Sequence, residues 1–185
     1  GVQTGPGAAQ ISQPSLAAFD LNGNWISDFR PQIDNGRVWD IQVTPSGKVI
    51  IAGDFTSVNG TPDTASLAMI DPVTGEVDPT WRASATYPNG NAIVKAVDIR
   101  GDWVYAVGRF TRFKGGPAAE GPITSAISMR LDNGGPGTWR PKIYAAGVDV
   151  QVSKDGTRVF VAGHFNALNG DTNHGWWGIT DITTG

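Results

Sequence analysis

The chain has 185 residues, of which 39% are hydrophobic and 17% are charged, and its formal net charge is −3. That length fits one ordinary domain, and the sparse charge argues against nucleic acid, which binds clustered Lys and Arg. There is no cysteine, so disulfide bonds and cysteine-based zinc sites are excluded. The sequence contains no run of about 18 apolar residues, so it predicts no segment inserted in a membrane.

The first fifteen residues are rich in Gly, Ala, Gln, Ser and Pro, a composition that alone is typical of a disordered tail. However, residues 4–15 (TGPGAAQISQPS) are similar to residues 115–125 (GGPAAEGPITS), which follow a G-x-F motif. We therefore interpret residues 1–15 as the trailing loop of a preceding repeat. The segment does not have the basic start and apolar stretch of a signal peptide.

An eight-residue motif recurs along the rest of the chain, as GDFTSVNG at 53–60, GRFTRFKG at 108–115 and GHFNALNG at 163–170. Successive copies are 55 residues apart. A fixed period of about 20–50 residues, or slightly more, is typical of repeat architectures. We predict three repeats over residues 16–66, 67–125 and 126–176, and we interpret residues 177–185 as the first strand of a further repeat.

Four segments follow one another in each repeat, and we interpret each as a short strand. The first is an apolar run that ends in Asp, at residues 16–20, 67–71, 128–132 and 177–181. The second is an aromatic residue followed by Arg. The third lies at residues 38–43, 94–99 and 147–152, and it alternates clearly in its last copy. The fourth lies at residues 49–52, 104–107 and 159–162.

The fourth segment is apolar without alternation, a pattern that predicts a central strand buried on both faces. Four strands in about 50–60 residues fit one blade of a β-propeller, which is usually built from about 4–8 blades. We predict an all-β fold of about three propeller-type blades, each of four antiparallel strands, plus partial strands. Three blades cannot close a ring, so we expect further blades as partners, supplied by the parent chain or by another subunit.

The motifs L-A-x-x-D, T-G-x-V-D-P-T-W, V-x-A-V and V-x-x-G-x-F-T-x-x-x-G resemble the delta-60 repeat, a bacterial β-propeller repeat. Residues 71–81 and 50–60 carry the resemblance best, and it covers nearly the whole chain. The third copy departs from the pattern, with Ser128 at the leading position and GGPG at residues 134–137. The resemblance implies a large exported or surface-attached bacterial protein without an assigned activity, and therefore an extracellular or cell-surface location.

Five residues are candidates for ligand binding. Asp54, Arg109 and His164 occupy one position in successive copies, and equivalent positions in a propeller lie on a ring about its axis. They form either a polar rim that contacts a ligand, or three separate side chains that each cap or pair with a neighbour at a strand end. Trp176 and Trp177 do not recur, and exposed aromatic residues stack on sugars or anchor protein partners.

Six recurring charged residues suggest structural roles instead. Arg30, Arg82 and Arg140 each follow an aromatic residue, and each repeat also carries an Asp. Because Arg suits bidentate pairing with carboxylates, we predict that each Arg contacts a carboxylate in or next to its own blade. The recurring carboxylates are Asp20, Asp71 and Asp132.

The sequence indicates no catalytic set, metal site or cofactor. His164 and His174 are ten residues apart in different segments, and no nucleophile elbow, P-loop or dinucleotide fingerprint is present. We therefore expect a non-catalytic propeller module that serves interaction or structure and binds protein or glycan partners. The alternatives are a dedicated glycan-binding module, or part of a propeller enzyme whose active residues lie on other blades.

Overall fold

The computed structural model describes residues 2–3, 7–13 and 15–185, and within them the fold is all-β with no helix. In chain order the strands are β1 (Ile33–Asp34), β2 (Val38–Val43), β3 (Val49–Gly53), β4 (Ser57–Val58), β5 (Leu67–Ile70), β6 (Ala83–Thr86), β7 (Ile93–Arg100), β8 (Trp103–Arg109), β9 (Arg112–Gly115), β10 (Gly121–Pro122), β11 (Ala126–Arg130), β12 (Ile143–Val152), β13 (Arg158–Leu168) and β14 (Trp177–Asp181). Of the predicted trailing loop, residues 1, 4–6 and 14 lie outside the described residues.

Three antiparallel sheets of three strands each make up most of the fold. The first sheet has the order β2-β3-β5, the second β7-β8-β11 and the third β12-β13-β14. The middle strands β3, β8 and β13 contain the three apolar segments that the sequence predicts as central. That prediction is confirmed, because each of these strands pairs with a neighbour on both sides.

Small ladders extend each sheet at the end where the G-x-F motif lies. β1 pairs with β4, and β6 pairs with β9, which in turn pairs with β10. In the third repeat the corresponding residues are part of the long strands β12 and β13. Equivalent buried pairs recur in the three ladders, namely Ile33–Val58, Ala85–Phe113 and Ile143–Leu168.

The sheets have three strands where the sequence predicts four. None of the aromatic–Arg segments forms a strand among the described residues. Where a fourth strand would pair there is an isolated β-bridge, which is Ile70–Val77 in the first sheet and Met129–Pro136 in the second. Pro79, Pro136 and Pro141 lie in this part of the repeat. Proline has no amide hydrogen for a ladder, which explains why the pairing stops after one bridge.

The register of the third copy differs from the sequence alignment by two residues. Ala126 pairs with Val107 as Leu67 pairs with Ala52, so Arg130 occupies the position of Asp71. Asp132, which we aligned with Asp71, lies two residues further along. A shift of two residues keeps every side chain on the same face of a strand, so the apolar pattern could not reveal it.

Apolar clusters bury the faces between neighbouring sheets. Between the first and second sheets, Ile50 and Met69 pack with Val104 and with Trp81 of the aromatic–Arg segment. Between the second and third sheets, Tyr105 and Val107 pack in the same manner with Val150, Val161 and Trp139. A smaller cluster covers the other side of the first sheet, where Leu16 and Ala18 pack near Ile51. The three sheets therefore stack face to face.

The third central strand departs from the predicted burial. Val159 and Val161 are buried, but Phe160 is 43% exposed, so residues 159–162 are buried on one face only. The prediction of burial on both faces is wrong for this copy, because no described element covers the other face of the third sheet.

The glycine of each G-x-F motif allows two strands to approach closely. A Cβ atom at Gly53, Gly108 or Gly163 would lie 2.0, 1.9 or 2.2 Å from a carbonyl oxygen of the facing backbone, that of Arg37, Ile93 or Ala146. No side chain fits at that distance, and this explains why the position is glycine in all three copies. The phenylalanine that follows is buried in each copy, as Phe55, Phe110 and Phe165.

Aspartates tie the innermost strands of adjacent sheets together. Oδ1 of Asp40 accepts the amide hydrogen of Ile41 at 2.7 Å, and its Oδ2 accepts that of Val97 in the second sheet at 2.7 Å. Asp98 repeats the arrangement one sheet further on, where Oδ2 accepts the amide hydrogen of Val152 at 2.6 Å. These bonds fix the spacing of the sheets at their β2, β7 and β12 edges.

We expect Asp40→Ala to lower the free energy of unfolding by about 1.5–3 kcal/mol, the usual contribution of hydrogen bonds to a charged group. The reason is that the amide of Val97 loses its acceptor between two sheets. Urea denaturation measures the change. Asp149→Ala is the matched control, because Asp149 takes the same place in β12 and bonds only to its neighbour Val150 at 2.9 Å among the described residues. Equal losses in the two variants would contradict the inter-sheet role.

Candidate functional site

Asp54, Arg109 and His164 all lie just after the glycine of the motif, where β3 and β8 end but β13 continues to Leu168. Oδ1 of Asp54 accepts the amide hydrogen of Arg37 at 2.6 Å, and its Oδ2 lies 3.5 Å from the Arg37 guanidinium. Arg109 donates to the carbonyl of Asn91 at 3.1 Å and lies 5.7 Å from the ring centroid of Tyr87.

His164 has an aromatic partner instead. Its ring meets Trp176 edge to face, with the centroids 5.8 Å apart. Each of the three motif residues thus contacts a neighbour within its own repeat, as in the alternative where the side chains cap or pair at strand ends. No contact among the described residues joins His164 to Asp54 or Arg109.

Asp54 does line a cleft of about 180 Å³ between the first and second repeats. Tyr87 and Asn91, the two residues that Arg109 contacts, form another wall, and Phe55 and Ala85 are part of the lining. The loop between β6 and β7 supplies this wall, with Tyr87, Gly90, Asn91 and Ala92. Asp54 therefore lines the cleft directly, whereas Arg109 contacts two other residues that line it.

Trp39 extends the polar surface beside this cleft. It is 48% exposed in β2, at a register shift in the pairing of β2 with β3. Its ring lies 5.2 Å from the Arg37 guanidinium and 5.2 Å from Nζ of Lys95. Trp39 is not among the candidates predicted from the sequence, because the bulge that exposes it has no sequence signal.

The two adjacent tryptophans are both exposed, Trp176 by 62% and Trp177 by 61%. Trp176 has φ 74°, at the position where the earlier repeats have Ser66 and Ser125 with φ 63°. The left-handed region is unfavourable for a bulky side chain. Trp177 begins β14 and lies on the uncovered face of the third sheet.

The three recurring arginines bind backbone carbonyl groups rather than carboxylates. Nε of Arg30 donates to the carbonyl of Ser27 at 2.9 Å, and Nε of Arg140 donates to that of Gly137 at 2.8 Å. Nη1 of Arg82 donates to the carbonyl of Asp78 and, at 2.8 Å, to that of Trp81. The predicted carboxylate pairing is wrong, because the turn before each Arg leaves carbonyl groups that need donors.

The first two recurring aspartates close turns. Oδ1 of Asp20 accepts the amide hydrogens of Asn22 and Asn24 at 2.9 and 2.8 Å, and Oδ1 of Asp71 accepts those of Val73 and Thr74 at 2.8 and 2.9 Å. The side-chain hydrogen bond from Asn24, together with the backbone hydrogen bonds, lowers the pKa of the Asp20 carboxyl group, and the backbone hydrogen bonds from Thr74 and Val73 lower that of Asp71. Side chains of this kind commonly stabilise turns.

Asp132, at its shifted position, pairs instead with Arg130. Nη2 of Arg130 lies 2.9 Å from Oδ2 of Asp132, and the hydrogen bond lowers the pKa of the Asp132 carboxyl. The contact is exposed, and exposed ion pairs contribute little to stability. Asp132 is therefore an arginine partner, but not of Arg140.

An ion pair at the first sheet, buried on the Asp78 side only, is replaced in the second sheet, and this replacement explains how the third copy tolerates its GGPG turn. Lys48 bonds to Asp78, whose side chain is 3% exposed. In the second sheet Trp103 and Gly137 take the equivalent places, and a Cβ atom on Gly137 would lie 2.7 Å from the Trp103 ring. In the second sheet the Trp103 indole thus packs on Gly137, at the place where Lys48 pairs with Asp78 in the first sheet.

The Asp78 pair makes stability depend on pH. Burial raises the pKa of Asp78, but hydrogen bonds from Lys48 and Thr80 outweigh it and lower the pKa to about 2. Because the folded pKa lies below the unfolded value of about 3.9, the contribution is complete above pH 4 and is lost as the pH falls towards 2. We expect Asp78→Asn to unfold with a flatter dependence on pH between about 4 and 2.

Urea denaturation at several pH values measures this dependence. Asp63→Asn is the control, since Asp63 pairs with Lys114 at 2.7 Å but is 38% exposed. If Asp78→Asn and the unsubstituted chain lose stability in parallel as the pH falls, the role of Asp78 is wrong.

The described residues contain no group of three or more His, Asp or Glu that could hold a metal ion. They also contain no helix long and apolar enough to cross a membrane. Comparison of the chain with family models and with curated proteins gives no significant match.

Proposed function

We propose that this chain is a non-catalytic, propeller-type module of an exported or cell-surface bacterial protein, and that it serves interaction or structure. The observation that carries the proposal is the stack of three equivalent antiparallel sheets, each tied to the next at its innermost strand. Propellers repeat such sheets about an axis. On this proposal each sheet is a blade, the fourth strand of the first two is reduced to a bridge, and further blades complete the ring.

The bacterial, exported setting rests on the resemblance of the repeats to the delta-60 repeat. An antibody against this chain should stain intact cells of its natural source or detect the protein in the culture fluid. Detection only after the cells are lysed contradicts the proposed location.

A glycan is the partner favoured by the surface of the first two repeats. Trp39 is an exposed aromatic residue of a kind that stacks on sugar rings, and Arg37 and Lys95 each lie 5.2 Å from its ring. This combination suits a saccharide that carries carboxylates. The second candidate function is therefore recognition of an acidic glycan.

Titration with an oligogalacturonide, followed by tryptophan fluorescence, tests this candidate. We expect saturable quenching that Trp39→Ala abolishes and that Trp176→Ala, a change at an exposed tryptophan in the third repeat, leaves intact. Quenching by a neutral cello-oligosaccharide of equal length would exclude charge as the basis. If neither sugar binds, the glycan candidate fails.

A further inference from the structure

We propose that the uncovered face of the third sheet is a docking surface for one more sheet of this same repeat. This open face consists of Asp149 of β12, Phe160 of β13, and Trp177 and Ile179 of β14. The inference rests on the proposed stacking of sheets, but not on a glycan, a cellular location or closure of a ring.

The open face of the third sheet is equivalent to one face of the first sheet and one face of the second sheet, both of which are buried. By strand pairing, Phe160 and Ile179 are equivalent to Ile50 and Met69 of the first sheet and to Tyr105 and Ser128 of the second. Those four residues are 0–4% exposed, whereas Phe160 is 43% and Ile179 47% exposed.

Trp177 follows the same rule. Its equivalents Leu67 and Ala126 are fully buried. Single exposed apolar residues are ordinary on protein surfaces, but a contiguous apolar patch marks an interaction site.

The two internal interfaces show what covers such a face. In both, the following sheet presents an aromatic residue from the aromatic–Arg segment, Trp81 or Trp139, together with apolar residues of its innermost and central strands. The occupant of the open face is therefore a sheet with that composition.

A polar group points to the same occupant. Asp149 is equivalent to Asp40. One oxygen of Asp40 accepts a hydrogen bond from its own strand, and the other accepts one from the amide of Val97 in the next sheet. Oδ1 of Asp149 accepts a hydrogen bond from its own strand, from the amide of Val150. Its Oδ2 has no bond among the described residues, and it corresponds to the oxygen that binds the next sheet.

A second copy of this chain fits the open face less well. Leu16 and Ala18 already pack on the far side of the first sheet, and they precede Asp20 as Leu67 and Met69 precede Asp71. Leu16 and Ala18 occupy the position that the last strand of a preceding sheet would take, so β14 of another copy would compete with them for this position. A separate sheet that follows Gly185 meets no such obstacle.

The test extends the chain by one sheet. Gly185 donates to the carbonyl of Asp181 at 3.1 Å as Gly75 donates to that of Asp71 at 2.9 Å. A copy of residues 76–130 attached after Gly185 therefore continues the chain in the observed register. A second extended chain carries a copy of residues 135–185, which follow the equivalent Gly134.

Since the chain has no cysteine, Ile179→Cys places a single thiol on the open face. We expect a maleimide to label it at least about tenfold more slowly in an extended chain than in the 185-residue chain, because the docked sheet must open first. Val73→Cys, at a residue 63% exposed in a turn of the second repeat, should react equally in both chains.

Equal labelling of the Ile179→Cys thiol with and without both extensions overturns the proposal, including the case in which an added sheet folds elsewhere or not at all. Protection in the 185-residue chain that grows with protein concentration also overturns it, because a second copy is then the occupant. As a further readout, Asp149→Ala should speed labelling in the extended chain and leave the rate in the 185-residue chain unchanged.

Discussion

Replacing Trp81 with alanine is expected to destabilise the fold by about 3–5 kcal/mol, the usual cost of removing a buried tryptophan. Trp81 is 1% exposed between the first and second sheets, and its Nε1 donates to the carbonyl of Arg130 at 3.1 Å. The substitution leaves a cavity and removes one of two hydrogen bonds to this carbonyl group, which also accepts the amide hydrogen of Gly134 at 2.9 Å. The loss is a large part of the roughly 5–15 kcal/mol that holds a typical domain folded, and urea denaturation followed by circular dichroism measures it.

Trp177→Ala is the matched control, because Trp177 is 61% exposed. The change should alter the free energy of unfolding by no more than about 0.5 kcal/mol, as is usual for surface substitutions. If Trp177→Ala is as costly as Trp81→Ala in the 185-residue chain, the assignment of buried and open faces is wrong.

Gly108→Ala is expected to cost about 3 kcal/mol or more, at the upper end of overpacking changes. A Cβ atom there would lie 1.9 Å from the carbonyl oxygen of Ile93 and 2.8 Å from Cα of Val94. Since both contacts are to backbone, β7 and β8 must separate, which breaks the pairing at the edge of the second sheet. A lowered midpoint of thermal unfolding reports the loss.

Gly121→Ala controls for the general effect of placing alanine in a strand. Gly121 lies in β10, and its Cβ atom would meet nothing within 4 Å. We expect unchanged or slightly raised stability, because alanine restricts the unfolded chain. Similar unfolding midpoints for Gly108→Ala and the unsubstituted chain would show that the two strands can separate without loss.

The repeats and their central strands could be predicted from sequence because their cause is local. The G-x-F glycine is required by close backbone approach, and the apolar runs around Ile50, Tyr105 and Phe160 reflect the middle position in a sheet. The exposure of Phe160 could not be predicted, because it depends on what lies beyond the strand. Its residue type is the same whether the face is covered or open.

The partners of charged groups were less predictable than the strands. Arg82 and Arg140 recur in repeats that also carry a recurring Asp, and a sequence does not show that nearby carbonyl groups lack donors. The position of Asp132 was misread because a two-residue shift preserves alternation. Trp39 was missed because a β-bulge sets its exposure, and bulges depend on pairing with a partner strand.

Each sheet takes its outermost strand from residues that follow the next predicted repeat boundary, as β5 completes the first sheet and β11 the second. The unit that recurs in the sequence is therefore not the unit that folds. A repeat excised at residues 67–125 would keep β7 and β8 but lose β11, and it would carry β5 without a partner. Duplication or deletion of a whole repeat within the array leaves no such gap, because every junction offers the same strand to the sheet before it. Interlocking of this kind lets a gene lengthen or shorten such an array by whole repeats while each internal sheet stays complete.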